Sequence, residues 1–393
     1  MTEKPIPINR MENRKIKVMY LCHAPEHRGG AALSLLNLIH AVSGGVEPLV
    51  VMPNTGEVYD MFTAESIECA VVPFPCTSRK RYTNTFPVNH IKKWCRLYRE
   101  TRHNMRCLPM LDDIIRRRGI QIVHSNSGVF TIGAEAAART GVRHVWHLRE
   151  FQDIDVGFEP LMGWCRLKKK IASADAVIAI TDAVARHFDL AGRSNYHVIW
   201  DAVKSRKEVG SIDFDKDKYF LFCAATLSRK KGAPMAIEAF ACSGLAAEGY
   251  RLVMAGKTED KPMMAELAAT ARRLGVTDAV DYPGYCADLT ACFSKAAGFL
   301  MCSDNEGMGR VTVEAMFSGC PVIAKRSGGT VEFVADGRNG LLYDTVDQCA
   351  GLMRRVVDGD MGGMERSAQA FALEHFTEEG YGRRVMKIYN DIL

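Results

Sequence analysis

Short β-branched runs alternate with helical patterns from residue 16 onward, and this alternation limits the fold more than any other feature of the chain. In the first half, strands are expected at 16–22, 49–52, 70–74, 120–125, 142–148, 176–181 and 197–200, with helices such as 30–42 and 132–139 between them. Runs such as Ala176-Val177-Ile178-Ala179-Ile180 are apolar throughout. A strand of that kind is buried on both faces, as in a parallel sheet covered by helices. Alternation resumes with strands at 219–225, 252–255, 280–282, 298–302, 322–324 and 341–343 and helices at 234–241, 263–274, 310–317 and 347–357. The pattern predicts a doubly wound α/β architecture, built twice.

A chain of 393 residues is too long for one open domain and suits two of roughly 150–200 residues each. The polar segment 204–218 has few large apolar residues and reads as a linker. It separates an N-terminal domain, 1–203, from a C-terminal domain, 219–376, and residues 377–393 read as a terminal helix. Ligands of such sheets bind at the carboxyl ends of the strands, so the cleft between two facing domains is the expected site.

Several classes are excluded. With 47% hydrophobic and 25% charged residues the chain is ordinary for a soluble protein, which argues against disorder, collagen or a coiled coil as the main architecture. No run reaches about 18 apolar residues, so no membrane-spanning helix is expected. Residues 1–14 lack the apolar core of a signal peptide. The 13 cysteines are scattered with no C-x-x-C pair, which suits reduced thiols in a cytoplasmic protein. His23 and His27 are four apart but sit in a Pro- and Gly-containing loop, so loop polarity is the reading and no metal is expected. Neither G-x-G-x-x-G after the first strand nor a P-loop is present. The first strand instead leads to Gly29-Gly30 at the start of a helix, either a plain turn or a place where backbone approaches an anion.

Net charge is only +5, yet between Arg79 and Arg118 twelve Lys and Arg face three acids. Within that window, Ile91, Trp94, Cys95, Tyr98, Met105 and Leu108 form a broken helical stripe with cations on the other faces. Residues 90–106 therefore fit either a helix lying on an anionic membrane surface or one packed on the sheet with a solvated charged face. No motif accompanies the charge that would suggest nucleic acid.

The stretch from Asp281 to Tyr343 narrows the reading to a family. It contains Glu306-Gly307-Met308-Gly309, then Glu314-Ala315-Met316, then Gly319-Cys320-Pro321-Val322-Ile323-Ala324, Gly328-Gly329 with Glu332, and Asn339-Gly340-Leu341-Leu342. In order and spacing this resembles glycosyltransferase family 4, the retaining nucleotide-sugar enzymes of GT-B architecture, whose E-x7-E motif matches Glu306 and Glu314. Val145-Trp146-His147-Leu148-Arg149-Glu150-Phe151, His124-Ser125-Asn126 and Ser228-Arg229-Lys230-Lys231-Gly232 are similar to further segments of the family. Residues 1–15 and 75–110 match nothing diagnostic. The resemblance implies two Rossmann-like domains facing a cleft, with the C-terminal helix crossing back to the N-domain.

It also implies roles. Breaking the bond between an anomeric carbon and a diphosphate puts negative charge on the leaving group, and fixed donors aimed there are the largest help a protein gives. Lys231 is the expected phosphate ligand. Many members place an arginine five residues earlier; here that position holds Thr226, and Arg229, or Lys230, is the expected substitute. Gly29, Gly30, Gly307, Met308 and Gly309 are expected around the sugar or diphosphate, Glu314 on the ribose hydroxyls, and Glu306 near the anomeric carbon. His147 is expected at the reacting side of the sugar, with His124, Arg149 and Glu150 on the acceptor side and Asp153 and Asp155 as weaker candidates. No covalent nucleophile, cofactor or metal is implied.

The expected activity is retaining transfer of a hexose-type sugar from a nucleotide-diphosphate sugar, UDP-linked by family frequency, to a saccharide or lipid-linked acceptor in cell-surface polysaccharide assembly. The expected place is the cytoplasm, or peripherally the inner membrane face. Two alternatives stay open: a sugar-nucleotide epimerase of the same architecture, and a non-catalytic partner subunit, suggested by Thr226.

Overall fold

The computed structural model describes residues 15–23, 29–80, 88–155 and 157–393, with side chains omitted at 88–90. The expectations for residues 1–14, for His27 and for Arg81 lie outside the described residues.

The first half supplies β1 (Ile16–Leu21), β2 (Val46–Met52), β3 (Glu68–Val71), β4 (Ser78–Lys80), β5 (Ile122–Ser125), β6 (Arg143–Leu148), β7 (Phe158–Pro160), β8 (Ala176–Ala179) and β9 (Tyr196–Val198). Seven of these form a parallel sheet in the order β3-β2-β1-β5-β6-β8-β9. The second half supplies β10 (Asp217–Thr226), β11 (Arg251–Lys257), β12 (Val280–Gly284), β13 (Ala296–Met301), β14 (Val322–Lys325) and β15 (Leu341–Tyr343). They form a second parallel sheet, β12-β11-β10-β13-β14-β15. Each sheet reverses its strand order beside its own first strand, between β1 and β5 and between β10 and β13. Reversal of this kind opens a crevice at the carboxyl ends of the strands, and the two crevices face each other.

Strand burial follows the apolar runs: every residue of β8 and β13 is buried. Two elements had no pattern to betray them. β4 and β7 pair antiparallel as a two-stranded ribbon outside both sheets, and Ser78-Arg79-Lys80 has no apolar alternation. Helix Gly362–His375 begins with two glycines, a poor helix start by propensity, and is held by burying Met364, Ala368 and Ala372. The basic window forms one helix, Val88–Arg118, containing Pro109. Segment 204–218 is less irregular than a linker: a short turn at Arg206–Glu208 is closed by a Ser205–Glu208 capping box, and β10 already begins at Asp217.

Helix Glu378–Ile392 crosses back to the first sheet. Its apolar positions recur at helical spacing, and Tyr381, Val385, Ile388 and Tyr389 are buried with Leu35, Leu38 and Ile39 of helix Gly30–Val42. A larger apolar cluster joins both halves, from Trp146, Leu148 and Ile180 to Met308, Val313 and Phe333. The two sheets are thus welded behind the cleft while its mouth stays open.

The crossing of the two helices depends on Gly382, where an added Cβ would lie 2.1 Å from the Ala41 carbonyl oxygen. Gly382→Ala forces the helices apart and is expected to destabilise the chain by about 1–3 kcal/mol in a denaturant or thermal melt. A melt unchanged from wild type would show that the close approach carries no energetic weight.

Candidate active site between the two sheets

A cavity of about 470 Å³ lies between the facing sheet ends. Its C-terminal wall is built by two loops. The first follows β10, where the Lys231 amide donates to Ser228 Oγ at 3.3 Å. Gly232 then takes φ +77°, and any Cβ there would strike the Cys302 carbonyl oxygen at 2.2 Å. Only glycine lets this loop lie against the end of β13. Lys231 consequently points into the cavity, and its Nζ meets Glu306 Oε1 at 2.5 Å.

The second loop follows β13 and carries Ser303 to Gly309. Ser303 Oγ donates to Glu306 Oε1 at 2.7 Å, and the Gly329 amide donates to the Glu306 carbonyl at 2.8 Å. The conspicuous Gly328-Gly329 pair therefore holds the Glu306 loop in place. Gly307, Met308 and Gly309 line the cavity at the start of helix Arg310–Phe317, whose positive end favours an anion. Glu314 lies one turn further along and also lines the cavity. Burial, with the Glu314 charge second, pushes the neighbouring Cys223 thiol well up, so it stays protonated.

Arg229 is not part of this group. It pairs with Glu266, Nη2 to Oε1 at 2.8 Å, with 74% of its side chain exposed. Lys230 reaches across to the N-terminal half and donates to the Asp155 carbonyl at 3.3 Å. The position where Arg229 was expected to replace a missing cation is thus unfilled by either residue. At Thr226 the chain is still inside β10, paired with Lys257 after a register shift that follows Cys223.

On the N-terminal wall, Gly29 and Gly30 line the cavity with Arg149, Glu150, Asp155 and Asp201. His147 and His124 do not. Both rings are fully buried behind Arg149, so the expectation that His147 points into the cleft is corrected. The reason is polar: His147 Nδ1 lies 3.2 Å from His124 Nε2 and 3.3 Å from Arg149 Nη2. Burial, and after it the Arg149 charge, hold the His147 imidazole neutral; burial first, with the cation of Arg149 nearby, does the same to His124. Arg149 itself donates to Asn126 Oδ1 at 2.6 Å and pairs with Asp201. Tyr381 donates to Asp201 Oδ1 at 3.0 Å, and Tyr389 lies 2.7 Å from His124 Nδ1. Asp153 pairs with His187 at 3.0 Å, away from the cavity.

Two models of known families tile the chain. Glycosyltransferase Family 4 matches residues 28–205, and Glycosyl transferases group 1 matches residues 204–370. The chain belongs to glycosyltransferase family 4. It is 28% identical over 180 residues to a lipopolysaccharide core biosynthesis glycosyltransferase, LpsE, of Rhizobium meliloti, a match covering 44% of this chain and 51% of the relative. An uncharacterized glycosyltransferase of Methanocaldococcus jannaschii is 25% identical over 285 residues, 71% of this chain and 76% of that one. Among solved structures, HepE of Anabaena in complex with UDP-glucose superposes with a TM-score of 0.77 at 19% identity, covering 96% of this chain and all (100%) of HepE. At that identity the likeness shows the GT-B fold alone.

This family 4 glycosyltransferase also relies on residues for which no role was expected, Glu332 having stood only as part of the Gly328-Gly329 motif. Arg310, half-buried at the start of its helix, sends Nη1 across the cleft to Ser34 Oγ at 2.9 Å and the Ala202 carbonyl at 3.0 Å. Glu332 accepts the amides of Asp182 and Ala183 at 2.8 and 2.7 Å, capping helix Asp182–His187 of the other half. Thr181 Oγ1 donates to the Gly307 carbonyl at 2.8 Å. Asp201, partner of Arg149, was likewise missed, although an aspartate just past a strand end is the available signal. Long-range partners such as Arg310–Ala202 leave no local trace.

Glu150 is half-buried and accepts from Ser127 Oγ. Burial pushes its carboxyl from 4.5 to about 7, opposed by the Ser127 bond and raised further by Asp155. A carboxyl that holds its proton more tightly folded than unfolded contributes its stability below the unfolded value. That contribution is lost as pH rises through about 7. Glu150→Gln is therefore expected to match wild type at about pH 5 and to melt about 2–5 °C higher at about pH 8. Parallel melting curves across that range would sink the assignment.

Proposed function

We propose that this glycosyltransferase moves a hexose-type sugar, with retention of configuration, from a UDP-sugar to a saccharide or lipid-linked saccharide acceptor. The observation that carries the proposal is the convergence of Lys231, Glu306 and the Gly307–Gly309 helix start on one cavity between two sheet ends. The UDP-sugar choice is supported by HepE, which was solved with UDP-glucose, and the acceptor class by LpsE of lipopolysaccharide core biosynthesis.

In this reading the diphosphate takes over Lys231. The ammonium and the positive end of helix Arg310–Phe317 then meet the negative charge that grows as the anomeric bond breaks. Glu306, released from Lys231 but kept in place by Ser303, faces the positive charge developing on the sugar. Glu314 accepts from the ribose hydroxyls, and the acceptor enters along the N-terminal wall past Glu150. His147, being buried and neutral, acts on the site through Arg149 as a positioning residue. Leaving-group charge is met by a cation and backbone, so transfer runs without a divalent ion.

Thermal shift with UDP-, GDP- and ADP-sugars tests the donor. A ligand at about 100 times its Kd adds about 2.7 kcal/mol to native stability, and only the UDP-sugars are expected to raise the melting temperature. No shift with any donor would overturn the proposal and favour the partner-subunit reading. Lys231→Ala is expected to lower kcat about 10²–10³-fold. Product analysis separates transfer from epimerisation: free UDP with a glycoside in the first case, an isomerised donor in the second. Chelation with EDTA is expected to leave the rate unchanged.

A further inference from the structure

Helix Val88–Arg118 carries large apolar side chains on its outward face as well as on the face it buries. The face turned to the protein buries Glu100, Asn104 and Asp112 beside Cys107, Leu111 and Ile115. The outward face presents Ile91, Trp94 and Tyr98, each 64% exposed, and Met105 at 65%. Spacings of three, four and seven residues place these four on one stripe, which runs about 21 Å along the helix. Scattered exposed apolar side chains are normal, but a contiguous line of this size marks an interaction surface.

Charge says what covers it. Lys92, Arg102 and Arg106 follow the stripe along one flank and have no carboxylate partner among the described residues. Glu100 and Asp113, which could neutralise the helix, are already engaged by Arg96, Arg99 and Arg117. Arg102 lies over the Tyr98 ring, 5.7 Å from its centroid, so a cation and an aromatic share one patch. Cores of protein–protein interfaces are depleted in lysine, and single-stranded nucleic acid selects stacking aromatics in a groove. An anionic bilayer instead takes apolar side chains at the acyl boundary, aromatic rings at headgroup depth and flexible cations beside the phosphates.

We propose that helix Val88–Arg118 docks on a bilayer containing anionic phospholipid, with Ile91, Trp94, Tyr98 and Met105 entering the headgroup region and Lys92, Arg102 and Arg106 meeting lipid phosphates. The docking rests on this surface alone and stands apart from the choice of donor. Its position bears on the acceptor: β7 is paired with β4 just ahead of the helix, and Phe158 of β7 lines the cavity. A docked helix thus holds the N-terminal wall of the cleft near the membrane surface.

The test is cosedimentation of the full chain with vesicles of phosphatidylcholine, with and without phosphatidylglycerol, while following tryptophan emission. Of the four tryptophans, Trp146 is buried and Trp94 is the most exposed, so a blue shift on binding reports Trp94 entering lipid. Binding to anionic vesicles is expected at least about 10-fold tighter than to neutral ones and to weaken in about 0.5 M salt. Together, Lys92→Glu, Arg102→Glu and Arg106→Glu are expected to lower affinity about 100-fold. The pair Trp94→Ser and Tyr98→Ser is expected to weaken binding and abolish the blue shift. All five side chains are exposed, so both variants are expected to melt as wild type, which the same samples verify. No binding to anionic vesicles at low salt, equal binding by the charge-reversed chain, or binding without a blue shift would overturn the proposal; the last would leave only general attraction to polyanions.

Discussion

Arg149 is a guanidinium with almost no access to water, and the N-terminal half is organised around keeping it charged there. Removing such an ion from water costs several kcal/mol, and the loss is offset only if its partners are well placed. Asp201 supplies the opposite charge, Asn126 a carbonyl, and Tyr381 a hydroxyl that holds Asp201 in position. These come from the loops after β5 and β9 and from the C-terminal helix, so three distant segments must meet before the charge is stable. The two buried histidines are part of the same arrangement. A second cation beside Arg149 would be costly, and both rings stay neutral.

The two halves are joined in a comparable way. Arg310 and Glu332 of the C-terminal half, and Thr181 of the N-terminal half, each finish a hydrogen-bonding need across the boundary. Helix ends left without partners are unfavourable, and Glu332 satisfies two orphan amides at once. These contacts are directional and lie at the rim of the shared apolar cluster. They fix the distance between Lys231 and the N-terminal wall, which area burial alone would leave loose.

Much of this was readable from the chain. Continuous apolar runs located the sheet strands, residues 377–393 read as a terminal helix, and the family resemblance implied its return to the first sheet, where Tyr381, Val385 and Ile388 are buried. The resemblance of the E-x7-E segment and of residues 228–232 to the family pointed to Glu306, Glu314 and Lys231 as donor residues, and all three line the cavity. What stayed hidden depends on side-chain direction or on partners far away in sequence. Arg229 has the charge and the location expected of a phosphate ligand, yet Glu266 on helix Lys261–Arg273 draws it outward. His147 ends a strand that points at the cleft, but strand ends fix where a residue is and leave open which neighbour shields it. The stripe on helix Val88–Arg118 was visible as spacing, while its exposure depended on Asn104 and Cys107 taking the inward face.

The returning helix has a consequence for biosynthesis. Tyr381 and Tyr389, which complete the polar interior of the first sheet, are made only after the whole second sheet has left the ribosome. The seven-stranded sheet is first in sequence but cannot be first to finish. While the second half is translated, Asp201 and His124 lack those hydroxyl partners, and the apolar face of helix Gly30–Val42 lacks its cover. Assembly of the first half is therefore timed by synthesis of the second, so an incomplete chain carries no finished cleft.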